Sequence, residues 1–65
     1  MTEQQINDDI EYQLGLQLSY WLAIANAASA EDHAQYYALI ELSKTRENAL
    51  KNALALTQQI AAMNA

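Results

Sequence analysis

The chain has no cysteine, proline, valine or phenylalanine, a single glycine, a single histidine and only three basic residues among its 65. Each absence excludes something. Without cysteine there is neither a disulfide framework nor a thiol nucleophile. One glycine rules out a Gly-rich phosphate-binding loop. The one histidine, His33, has Ala30 rather than glutamate three residues before it, so the Glu-x-x-His pairs of carboxylate metal bundles are missing. A lone histidine near a turn supports no Ser-His-Asp arrangement either. We therefore expect no enzymatic activity, no metal and no cofactor. The three bases, Lys44, Arg46 and Lys51, stand against eight acids and leave a net charge of −5. Such a surface repels phosphate backbones, which argues against direct binding of DNA or RNA.

A charge-free stretch of nineteen residues runs from Tyr12 to Ala30. It is interrupted by Gln13, Gly15, Gln17, Ser19, Asn26 and Ser29, so it lacks the continuous apolar character of a membrane-spanning helix. Its upstream flank is acidic, the reverse of a secretory signal. The expected location is cytoplasmic, with no membrane contact.

What is present is alanine and leucine, with 34 apolar residues in all, and this composition reads as all-α. Thr2 followed by Gln5 matches a capping box and places a first helix over residues 3–27. Within it Ile6, Ile10, Leu14, Leu18 and Leu22 recur every four residues and, joined by Trp21, Ala25 and Ala28, define the expected core stripe. Ser29, followed by Glu31 and Asp32, marks the start of a second helix over residues 30–63. Its main stripe runs through Tyr36, Leu39, Ile40, Ser43, Arg46 or Glu47, Leu50, Ala53, Leu54, Thr57, Ile60 and Ala61. An alternative reading breaks this helix near residues 43–45, with Thr45 as a cap, and yields a three-helix bundle. We favour one unbroken helix, because no Gly, Asn or Pro stands at the centre of such a turn. A chain of this length is a single domain.

Two unequal helices joined by a short turn form an antiparallel hairpin, and the last turns of the second overhang the first. A second apolar stripe lies off the main one, with Leu42, Ala49, Leu56 and Met63 on helix two and Leu16, Tyr20, Ala23 and Ala27 on helix one. One hairpin cannot bury both stripes, so we expect a homodimer forming a four-helix bundle, its interface drawing on Leu16, Tyr20, Leu42, Ala49, Leu56, Ile60 and Met63. In format alone such a dimer resembles the hairpin dimers of plasmid copy-number regulators of the Rop type; the resemblance implies an architecture and assigns no role to any residue.

Glu11, Arg46 and Glu47 interrupt the apolar stripes at one height of the hairpin, and we read them as a polar layer, Arg46 pairing Glu11, that sets register. His33 reads as a solvated first-turn residue. Asp8, Asp9, Tyr12 and Tyr37 are the candidates for contact with a partner: the acids because they form the densest charge run, facing Lys44 and Lys51, and the tyrosines because an amphipathic ring beside apolar surface suits an interface. The expected function is that of a small regulatory protein that binds and modulates another protein. The alternative is an acidic inhibitor, phage- or plasmid-encoded, that imitates nucleic acid and occupies a DNA- or RNA-binding protein.

Overall fold

The computed structural model describes residues 2–64. It holds two helices, α1 (Glu3–Asn26) and α2 (Ala30–Met63), packed along their length as a hairpin, with no strand among the described residues. The molecule is a rod of 54 × 15 × 13 Å. Its long dimension is that of α2, about 51 Å at 1.5 Å per residue.

Capping explains where the helices begin. Thr2 Oγ1 accepts from the Gln5 backbone N–H while Gln5 Oε1 accepts from the Thr2 N–H at 2.9 Å, so two orphan donors are satisfied reciprocally. Ser29 is extended and accepts from Asp32 N–H at 3.1 Å, which starts α2, and Glu31 and Asp32 lie at the positive end of its dipole. The chain reverses over Ala27 and Ala28 without glycine. His33 is half-buried rather than solvated, and its Nε2 lies 3.2 Å from the Ala27 carbonyl. Since a carbonyl only accepts, that nitrogen carries the proton, and the ring ties the end of α1 to the first turn of α2.

The second helix is continuous through Ser43, Lys44 and Thr45. Thr45 does not cap a new helix. Its hydroxyl donates to the Glu41 carbonyl at 3.0 Å, one turn back, a bond that a helical threonine makes without breaking the helix. Gly15 sits on an ordinary helical backbone, and a methyl group there would meet nothing within 4 Å. It is not a point of close helix approach.

The residues that pack between the helices follow a 3-4 spacing on both. On α1 they are Ile6, Ile10, Gln13, Gln17, Tyr20 and Ile24, continued by the cap residue Ala27; on α2, His33, Tyr36, Ile40, Ser43, Glu47, Leu50, Leu54 and Thr57, all buried or half-buried. The α2 seam is the expected one in its main members. The α1 seam is not. Leu14, Leu18, Trp21 and Leu22 are exposed, Leu18 by 62%, while Gln13, Gln17 and Tyr20 take their place.

Two physical causes account for that rotation. A four-residue repeat overshoots one helical turn by about 40° each time, so Leu18 stands about 120° around the helix from Ile6. Furthermore, α2 presents Ser43 and Glu47 to the seam. Leucines packed there would strip water from a carboxylate and a hydroxyl without replacing its hydrogen bonds, whereas glutamines supply them.

Candidate functional site

The buried centre of the hairpin is polar. Ser43 Oγ shares its proton between Gln13 Oε1 at 2.8 Å and the Gln13 backbone carbonyl at 3.1 Å. The Gln17 amide donates to Glu47 Oε1 at 2.9 Å and, more weakly, to Ser43 Oγ at 3.4 Å. Lys51 closes the chain of contacts by pairing with Glu47 one turn away on α2. Among the described residues no buried side-chain polar atom lacks a partner. The expected polar layer therefore exists at nearly the expected height, but of its three assigned members only Glu47 belongs to it.

Glu11 and Arg46 are both exposed, and no ion pair joins them. Handedness is the reason. Glu11 follows the seam residue Ile10, and Arg46 precedes the seam residue Glu47. In an antiparallel pair, residues that follow the seam on both helices share one side of the hairpin, and those that precede it share the other. Glu11 and Arg46 thus project from opposite sides.

The same rule sorts the rest of the surface. On the first side Trp21 and Tyr37 meet edge to face, with ring centroids 5.5 Å apart. Leu14 and Leu18 precede Trp21 along this side of α1 and Leu22 lies just around the helix, all exposed. On the second side a shallow groove of about 450 Å³ is lined by Asp9, Tyr12, Gln13, Arg46, Ala49 and Leu50. Along the same side of α2 run Leu39, Leu42 and Leu56, also exposed.

Of the candidate partner residues, Asp8, Asp9, Tyr12 and Tyr37 are all exposed, and they are dispersed. Tyr12 and Asp9 border the groove; Tyr37 belongs to the opposite side. Asp8 accepts from the Gln4 side chain at 2.8 Å. Lys44 and Lys51 do not face the acidic run as expected. They pair with Glu41 and Glu47 of their own helix, where one turn of spacing brings opposite charges together without spanning the hairpin.

Among the interface candidates, Leu42, Ala49, Leu56, Ile60 and Met63 are exposed, Met63 by 81%, and Leu16 is half-buried. Tyr20 is spent within the hairpin, its ring centroid 6.3 Å from that of Tyr36. Gln13 and Gln17 of the buried network and Trp21 of the surface pair are not among the candidates that the sequence offers. A signal existed: a strict 3-4 seam drawn back from Ala27 passes through Tyr20, Gln17 and Gln13 in turn.

Among the described residues no three His, Asp or Glu side chains cluster as a metal site would require, and no helix is long and apolar enough to cross a membrane. Among the described residues Glu47 is the one group whose proton affinity is clearly displaced. Its hydrogen bond with Lys51, then that with Gln17, hold the carboxyl below its ordinary value of about 4.5. Unfolded chains therefore bind this proton more readily than folded ones, so the group contributes stability above the ordinary value and loses it as pH falls through the lowered one. Melting temperature should accordingly fall on acidification below about pH 4.5. In Glu47→Gln that acid-side slope should be shallower in a pH series of thermal melts; equal slopes would show the layer to be solvated.

No protein-family model matches this sequence, and no curated protein or solved structure matches it either.

Proposed function

We propose that the chain is a non-enzymatic interaction protein, a homodimeric helical bundle that binds and modulates another protein. The observation that supports this most is the exposed aromatic and leucine surface around Trp21, Tyr37, Leu14, Leu18 and Leu22. Scattered exposed leucines are ordinary, but a contiguous patch anchored by a Trp-Tyr pair is the composition found at the energetic centre of protein interfaces. With apolar surface on both sides of the rod, one side can serve self-association and the other a partner.

The test uses the chain as bait at increasing salt. An apolar contact keeps its partner at about 1 M salt, where charges are screened beyond about 3 Å. It should lose that partner by tenfold or more when Trp21 or Tyr37 is replaced by alanine, and hold it when Asp8 and Asp9 become asparagine. The reverse pattern, capture that collapses with salt and with Asp8/Asp9→Asn, favours the acidic mimic of nucleic acid. Glu3, Asp8, Asp9 and Glu11, all exposed on a helix with no base, are the observation behind that second reading.

A further inference from the structure

We infer that a second copy of this chain docks along α2 in antiparallel fashion, about a two-fold axis perpendicular to the helices at the level of Lys51. The inference rests on the homodimer reading above and commits it to one face, one partner and one register.

Three observations carry it. The first is the order of side chains along the second side of α2. The residues that precede the seam are Leu39, Leu42, Arg46, Ala49, Ala53 and Leu56, and Ile60 and Met63 continue them along the overhang, a 3-4 series of their own. Rotated about its midpoint the series matches itself: Leu39 meets Met63 of the second copy, Leu42 meets Ile60, Arg46 meets Leu56, and Ala49 meets Ala53. Small residues fall at the centre and large ones at both ends. Crossing helices need that distribution, because two axes about 8 Å apart where they cross at about 20° stand roughly 10 Å apart about 18 Å farther along. Arg46, opposite Leu56, lays its aliphatic stem on the leucine and keeps its guanidinium at the groove beside Asp9.

The second observation is the overhang. Ten residues separate the lengths of α1 and α2, and α1 covers neither Ile60 nor Met63, which remain exposed. In the proposed register each tail lies on Leu42 and Leu39 of the other copy, so the uncovered end of one chain covers the exposed middle of the other.

The third is area. The hairpin exposes 4785 Å², whereas a compact monomer of 7.3 kDa exposes about 4,200 Å². That surplus of about 600 Å² approaches the ~800 Å² that each partner contributes to a standard interface.

The opposite side does not offer this symmetry. There α2 presents Glu41, Lys44 and Lys51 beside Tyr37, and α1 supplies the leucines, so no single helix repeats the pattern on itself.

Sedimentation and label-to-label distances test the proposal. The wild-type chain should sediment at twice its mass at micromolar concentration. Ala49→Glu, an exposed helical position, should halve that mass while circular dichroism stays helical, and Leu18→Glu on the other side should leave it unchanged. Since the chain has no cysteine, single labels at Gln35→Cys and Gln59→Cys report the arrangement directly. The expected separations between copies along the axis are about 48 Å and about 24 Å. Two short and similar distances would mean a two-fold axis parallel to the helices and overturn this register while leaving a dimer. A dimer that survives Ala49→Glu likewise overturns the α2 face alone. A wild-type monomer overturns both this inference and the homodimer reading it rests on.

Discussion

Replacing Ile40 by alanine should lower the melting temperature by roughly 10 to 30 °C, whereas Leu18→Ala should change it by only a few degrees. Among the described residues Ile40 and Ile6 are the large side chains that the hairpin buries fully, each 1% exposed. Truncating such a residue removes transfer free energy and leaves a cavity, together about 2–5 kcal/mol. A domain of this size has in total only about 3–10 kcal/mol to lose. Leu18, 62% exposed on the side away from the proposed dimer face, leaves no cavity. The pair of variants therefore decides the rotation of α1. Equal losses from Ile40→Ala and Leu18→Ala would mean that the four-residue leucine stripe, and not the Gln13–Gln17–Tyr20 line, faces α2.

The second large effect runs the other way. Substituting the whole polar layer at once, Gln13→Leu, Gln17→Leu, Ser43→Ala and Glu47→Leu, should raise the melting temperature by about 10 °C or more, since buried ionic layers exchanged for apolar ones commonly gain about 1–4 kcal/mol. The single change Ser43→Ala should do the opposite and cost about 1–3 kcal/mol, because it strands the buried Gln13 side chain. What the full substitution should lose is uniqueness. With apolar side chains at those four positions, helices can slide by a turn or exchange partners, as happens in coiled coils that lose their polar position. Broadened amide resonances and mixed oligomers in sedimentation would report it. A single sharp species of higher stability would show that the layer does not set register, and outright unfolding would show that its bonds carry far more stability than such layers usually do.

Both effects trace to the rotation of α1 about its axis. Ile6 and Ile10 belong to the seam as their spacing says, yet the next members of the same series, Leu14 and Leu18, do not. Hydrophobicity alone favours the leucines. The polar residues of α2 decide against them, since Ser43 donates to the Gln13 side chain and Glu47 accepts from the Gln17 amide, and both would be stranded beside leucine. No reading of α1 by itself could weigh that, because the cost arises only when the two helices meet. Glu47 stands out in the sequence as an acid within an apolar seam, and in the structure it bonds Gln17 and Lys51. Its partners were misassigned because Glu11 and Arg46 share its height but not its side.

The interaction surfaces divide in the same way. An excess of apolar residues over what one hairpin buries was legible from counting stripes, and Leu42, Leu56 and Met63 are exposed as that count implies. Which apolar residues of α1 form the excess was not legible. Leu16 and Ala23, assigned to the outer stripe, are half-buried, and Trp21, assigned to the core, stands against Tyr37 on the surface.

The sequence by itself determined the helices, their caps, the place of the turn and the overhang of α2. All of these follow from interactions within a turn or two of chain, or from lengths along it. Only the tertiary structure decided the rotation of α1 about its axis, and with it the identity of the polar network and of the patch around Trp21. Rotation changes no local bond. It is set by the match of donors to acceptors between two helices, and that match exists only once both faces are together.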